Sequence, residues 1–538
     1  MFELRARFSL LLLIAWIGFH SPVTNVHAQS APAVGSILTQ PCQIGAQLRG
    51  EVALIVVPEN RTAASSRHIT VHYIRFPARE PSGQPPVFFL PGGPGEAVTV
   101  EQITEGLKQK RYNKYAEMRA YNQFRDVVIV NQRGNSHVPG VQQLPEMWFA
   151  QPGKRLEPMS FDKTAQRMSK GFQKTIRICQ DLQFDLKGYD IQHLVDDVEA
   201  IRLAHGYEQI AFRGGSFGSQ WALAYLNQYP QHVERMLLSG VEPLNHTYDS
   251  PNGIWNVFEK VEAQARDSTS IKLPEVGLLG ALKAVITKLE KEPVRVRGRH
   301  PRRGGAAEIV IGADDVRYYL RRPILNSSVH SRRLLELWPK MVLELYQEDY
   351  QYLAAKIIDD RPDLTQHPLL LTLVDNSLGI TDQRLKLLEK EEAHRWLGDV
   401  NLLYTATQAV TPTPTVSDAF RQFKEYETPV LLIHGTLDRS TPIENAQELL
   451  IYFPRGHLIT VQGGTHAALH HAASFDPRFL EYLTDFFKTT NPTDAFQRIP
   501  EKITLPPLQF EANGSPSLFT QLTEAPANEP DNQPPGSR

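Results

Sequence analysis

A mostly parallel sheet flanked by helices, interrupted by a large and mainly helical cap insertion before its last strands, is the α/β fold class that the sequence predicts. Three observations carry it. Short apolar runs alternate with helix-compatible segments from 86 to 241, the pattern of strands joined by crossover helices. The alternation stops from 245 to 425, where the text turns mostly helical, and resumes at Pro429. The run Val127 to Val130 is apolar throughout, as a strand covered on both faces must be. At 538 residues the chain is long for one domain, so a core with an insertion suits it. A hydrophobic content of 41% supplies the core, and a net charge of −2 offers no bias toward nucleic acid or an anionic membrane.

The elements follow in order. Arg5 and Arg7 precede an apolar run from Phe8 to Phe19 and then Val26-His27-Ala28, with small residues where signal peptidase requires them. Residues 1–28 therefore read as a signal peptide cut after Ala28, and the mature chain is expected to be secreted or periplasmic. The apolar run falls short of the roughly 20 residues a spanning helix needs, so no membrane anchor is expected after cleavage. Cys42 and Cys179 are the only cysteines. In an exported chain they are expected to form one disulfide, stabilising by roughly 4 to 5 kcal/mol for so long a loop. Two cysteines and no His-Glu-Xaa-Xaa-His give no metal site, and no phosphate loop or dinucleotide fingerprint is present, so no cofactor is expected.

After a linker (29–41), the first part of the core is expected over 42–244. Val52 to Val57 and Ile69 to Phe76 read as two strands joined by a turn. Pro86 to Leu90 runs as a buried strand into Pro91-Gly92-Gly93-Pro94-Gly95, a loop whose backbone amides can face a ligand oxygen. Asp126 to Asn131 is the next strand and ends in Gln132-Arg133-Gly134, after which 140 to 190 reads as a helical excursion. His193 to His205 has the apolar spacing of a helix laid on a sheet, closed by Gly206. Arg235 to Gly240 is one more strand. The cap is expected over 245–425, with one hairpin around Val294 to Ile311. The core resumes over 426–490 with strands at Pro429 to His434 and Leu458 to Val461. The remainder, 491–538, is a tail expected to be largely unstructured from about 511.

The chemistry gathers at Gln209 to Ser219. A short strand breaks into Gly214-Gly215-Ser216-Phe217-Gly218, and helix-compatible text follows from Gln220. So sharp a turn leaves no room for side chains two positions either side of the serine, which is why Gly214 and Gly218 are needed, and it exposes Ser216 as a nucleophile. A serine nucleophile needs a base, and the base needs an acid. Asp438 and His466 stand just beyond two late strands, at the sheet edge from which Ser216 also projects. His434 and His470 compete for the base position. His466 would take the Ser216 proton and Asp438 would hold the imidazole, while the amides of Gly93 and Phe217 would meet the developing oxyanion.

These motifs resemble the α/β-hydrolase serine peptidases of the prolyl iminopeptidase and tripeptidyl aminopeptidase group: Gly-Gly-Pro-Gly after one strand, Gln-Arg-Gly after the next, the serine elbow, and the late Asp and His. The resemblance spans roughly 42 to 490. It implies an α/β-hydrolase fold, the triad Ser216, Asp438 and His466, and release of residues from free peptide N-termini. Pro91 stands where the group often has His, and Asn131 where it has Asp, without the Gly and Ser that usually follow Gln-Arg-Gly; these departures bear on substrate class. An aminopeptidase needs a carboxylate for the substrate ammonium, and Glu96 and Glu242 are placed for it. The expected partner is a small peptide, or a small-molecule ester or amide. A carboxylesterase or amidase under the same triad is the alternative, and a non-catalytic hydrolase-like binding protein a further one. The basic cluster Arg295, Arg297, Arg299, Arg302 and Arg303 reads as a solvated cap face rather than a nucleic-acid site.

Overall fold

The computed structural model describes residues 32–524 apart from 46–47, 110–112, 136–137, 139, 151–155, 301–304, 322–330 and 361–363. The signal segment 1–28, Arg302 and Arg303 lie outside the described residues.

Three antiparallel strands open the main sheet: β1 (Ile37–Ile44), β2 (Leu48–Pro58) and β3 (His68–Phe76). β4 (Val87–Leu90) and β5 (Val127–Val130) follow. After β6 (Glu146–Ala150) come β7 (Ile210–Gly215) and β8 (Val233–Ser239). The insertion contributes β9 (Val294–Arg299), β10 (Ala306–Ile311) and β11 (Leu364–Pro368). β12 (Val430–Gly435), β13 (Gly456–Gln462) and β14 (Lys502–Thr504) complete the set. The ten-stranded sheet runs β1-β2-β3-β5-β4-β7-β8-β12-β13-β14, and every pair from β5 to β14 is parallel. This is an α/β-hydrolase fold, with β4, β7, β12 and β13 all delivering their carboxyl ends to one edge.

Strand periodicity divides the core into two faces. Val87, Phe89, Val127 and Ile129 pack on one side with Ile433, Val461 and Phe486. Phe88, Leu90, Val128 and Val130 pack on the other with Val198, Ile201 and Trp221. The helix Ile191–Ala204 supplies the second face and is capped by Asp190, whose side chain accepts the His193 amide.

The insertion divides in the same way. The helices Pro251–Asp267, Gly277–Lys291 and Ser331–Tyr346 build a separate core with the β9–β10 hairpin, in which the rings of Phe258 and Trp338 stack at 4.7 Å. On β9 Val296 is buried while Arg295, Arg297 and Arg299 face solvent, and Arg295 pairs with Glu308 at 2.7 Å. The helix Leu369–Leu378 instead buries Leu369, Leu370 and Leu373 against the sheet's second face. The sequence did not announce the pairing of β11 with β6, which ties the insertion to the excursion after β5.

Two expectations are corrected. Cys42 and Cys179 are free thiols, not a disulfide. Cys42 packs with the first face of the sheet and Cys179 is buried in the second, so the sheet itself separates them. The tail is ordered as far as 524, with a helix at Leu518–Glu524. Leu508, Phe510 and Leu518 are apolar enough, amid proline and serine, to be buried in the insertion's core. Among the described residues no helix is long and apolar enough to cross a membrane.

Candidate active site

β7 ends in a turn that the helix Phe217–Gln228 continues. Between them Ser216 adopts φ 54° and ψ −132°, left-handed backbone that a non-glycine residue holds only under strain of about 1–3 kcal/mol. The elbow closes on itself tightly. A Cβ on Gly214 would lie 2.3 Å from the Gly218 carbonyl oxygen, and one on Gly218 would lie 2.2 Å from the carbonyl oxygen of Leu90. Neither contact is possible for a real side chain, so both positions demand glycine. The Ser216 amide donates to Ser239 O at 2.9 Å, pinning the turn to the end of β8.

Asp438 and His466 emerge after β12 and β13 and meet, with His466 Nδ1 2.8 Å from Asp438 Oδ2. Asp438 is saturated: Oδ1 accepts the amides of Ser440 and Thr441 at 3.0 Å each, and Oδ2 also accepts the Thr441 hydroxyl at 2.7 Å. Burial pushes the Asp438 carboxyl up, but the His466 charge and hydrogen bond outweigh it and hold the group below the usual range. Burial likewise disfavours the His466 imidazolium, yet the adjoining carboxylate prevails and raises this histidine above its ordinary value. The His466 ring rests against Gly240, where a Cβ would stand 2.7 Å from Cε1. Ser216 and His466 thus lean on the adjacent residues Ser239 and Gly240.

His434, the rival base, is engaged elsewhere. Its Nδ1 accepts the Val241 amide at 3.3 Å and its Nε2–H donates to Thr441 O at 2.5 Å. Burial lowers it, so it stays neutral and holds the acid loop to the end of β8. His470 sits on the next helix, Ala468–Phe475, with its ring against His471.

The loop after β4 passes over the nucleophile, since a Cβ on Gly92 would come 3.5 Å from Ser216 Cβ. The Gly92 amide donates to Glu96 Oε2 at 2.8 Å and the Gly95 amide to Gln132 Oε1 at 2.7 Å. Among the described residues no acceptor takes the amides of Gly93 or Phe217, which leaves both for an oxyanion.

The two candidate amine ligands differ. Glu96 also receives Lys114 Nζ at 2.8 Å, and burial is outweighed by that cation, so its carboxyl lies below the usual range. It is engaged in holding the loop. Glu242 is tied to the elbow by its backbone: its amide donates to Ser219 Oγ at 3.0 Å, and Ser219 Oγ donates to Ser216 O at 2.6 Å. Burial first, then the negative neighbours Asp375, Asp249 and Asp438, push its carboxyl well above the usual range. No cation or donor among the described residues offsets them. Asp375, on the helix Leu369–Leu378, is pushed by burial up to about 8, although Tyr404 donates to it at 3.0 Å. Sequence reasoning missed Asp375, Asp249 and Thr441, and named Gln132 in the Gln-Arg-Gly motif without giving it a role. Thr441, within reach of Asp438 along the chain, left a local signal.

Residues 85–273 match the family model described as alpha/beta hydrolase fold, and residues 401–491 match the one described as TAP-like protein. Among solved structures, a serine hydrolase from the hydrocarbon-degrading bacterium Cycloclasticus zankles is 11% identical, with 84% of this chain and 98% of that one covered and a TM-score of 0.32. A 2-hydroxy-6-oxo-6-phenylhexa-2,4-dienoate hydrolase from Rhodococcus sp. strain RHA1 is also 11% identical, covering 80% and 98% with a TM-score of 0.33. An α/β-hydrolase enzyme from a Medee basin deep-sea metagenome is 11% identical, covering 79% and 96% with a TM-score of 0.36. At such scores the neighbours add nothing to the sheet order and the family matches. On those two grounds the chain is a hydrolase of the α/β fold that carries a TAP-like segment across its last core strands.

Proposed function

We propose that the chain is a serine aminopeptidase that cleaves short peptides from a free N-terminus through an acyl-enzyme on Ser216. The observation that carries the catalytic part is the 2.8 Å contact of His466 with a saturated Asp438, at the sheet edge where the half-buried Ser216 also stands. His466 takes the serine proton as Oγ attacks the carbonyl carbon, then returns it to the leaving amine; water repeats the sequence to release the acid. The aminopeptidase part is supported by Glu242. A carboxyl kept from ionising by burial and acidic neighbours gains its missing counter-charge from a substrate ammonium, and the TAP-like match points the same way. The Glu96 alternative loses ground to its bond with Lys114.

The test compares a peptide anilide bearing a free amine with its N-acetylated twin. Cleavage confined to the free-amine form is expected, and Glu242→Gln should raise KM for it about 10- to 100-fold, one charge-assisted contact, with little change in hydrolysis of an uncharged ester. If the acetylated peptide is cut equally well, the aminopeptidase reading falls and the esterase or amidase remains. The pH profile gives a second check. His466 must be neutral to accept a proton, so kcat/KM is expected to rise with pH through a midpoint above the ordinary histidine value of about 6.5. A midpoint well below 6 would contradict that role. We also propose that the chain is exported after cleavage at Ala28; intact-mass measurement of material from the producing cell checks it.

A further inference from the structure

The oxyanion loop does not hold its own shape. Its turn from Gly92 to Gly95 contains Gly93 at φ +107°, a conformation only glycine adopts freely, and is braced by side-chain amides from the end of β5. Gln132 spans the turn: Oε1 accepts the Gly95 amide at 2.7 Å, while Nε2 donates to Gly92 O at 3.0 Å. The side chain is almost wholly buried, 1% exposed, so water cannot replace it. Asn135 Nδ2 donates to Gly95 O at 2.7 Å, and Asn131 bonds both the amide and the carbonyl of Val98 at 2.8 Å. With the Gly92 carbonyl and the Gly95 amide both engaged, the donor left free is the Gly93 N–H, the other end of the Gly92 peptide that lies beside Ser216.

We propose that Gln132 is a positioning residue for the oxyanion hole, setting the aim of the Gly93 N–H through the carbonyl of its own peptide and through the Gly95 amide that closes the turn. This rests on the serine-hydrolase reading above. Chemistry dictates an amide there, because one side must accept a proton and the other must donate one. Methionine would fill the volume, leave the Gly95 amide unbonded and leave the Gly92 carbonyl only the long bond from the Glu96 amide at 3.4 Å. Glutamate would keep the bond to Gly95 but set a carboxylate against the Gly92 carbonyl. Since a misplaced donor loses its value where charge develops rather than in the ground state, the effect belongs to kcat.

The experiment uses the full chain, p-nitrophenyl acetate as substrate and a small trifluoromethyl ketone that binds as a hemiketal. In Gln132→Met, kcat is expected to fall at least tenfold and up to about 100-fold with KM nearly unchanged, and the ketone Ki to rise by a similar factor. A merely structural role would lower the melting temperature without moving the ketone Ki relative to KM. Gln132→Glu carries the same expectation should the methionine variant not fold. An unchanged kcat or ketone Ki in a folded variant overturns the inference. Hydrolysis that persists in Ser216→Ala would instead overturn the hydrolase reading itself, and this inference with it.

Discussion

Ser216→Ala is expected to lower kcat by about 10⁵- to 10⁶-fold while leaving the protein folded. The side chain at this position does no packing that the structure depends on: the elbow is held by the Ser216 amide on Ser239 O and by Ser219 on Ser216 O. Alanine retains every one of those bonds. It removes only the oxygen that forms the acyl bond, so binding survives and turnover does not. The measurement is single-turnover release of the first product, with ligand affinity by calorimetry on the same sample. Activity within a hundredfold of the parent would place the chemistry elsewhere.

Asp438→Asn comes next, with an expected loss near 10⁴-fold in kcat. The four bonds to the carboxylate show why a nearly isosteric change is so harmful. One oxygen must remain an acceptor for the Ser440 and Thr441 amides, so the new NH₂ group is turned toward His466 Nδ1 and Thr441 Oγ. An NH₂ donor facing Nδ1 forces the proton onto Nε2, the nitrogen that should accept from Ser216. The imidazole then keeps its place but is in the wrong tautomer. Nitrogen-15 NMR of the His466 ring would show the switch directly, and a variant that retained a tenth of the parental kcat would exclude Asp438 as the orienting acid. Thr441 shares this fate, since its hydroxyl lies within 3.2 Å of the same nitrogen.

Both variants were foreseeable from sequence because the features behind them are local. An elbow is written in glycines two residues either side of a serine, and a strand's carboxyl end is where its apolar run stops. Asp438 and His466 follow such stops, so the sequence alone marks them. What escaped was long-range. The partner of β6 lies more than two hundred residues away, beyond the reach of any periodicity. The failure of the disulfide has the same root: cysteine count and compartment say that a bridge can form, but only the assembled sheet shows the two thiols on opposite faces. Nothing local marks Asp375 until its helix packs on the sheet's second face and buries it. The tail misled for a different reason. Its composition is that of a solvated coil, and three apolar side chains suffice to anchor it.

That anchoring couples two cores. β14 closes the edge of the sheet against β13, and a few residues later the same stretch fills the insertion's core with Leu508, Phe510 and Leu518. Two otherwise separate hydrophobic cores therefore share one late segment. Residues beyond 500 supply the last strand of one and the closing wedge of the other. Loss of that one segment would therefore open both cores at once.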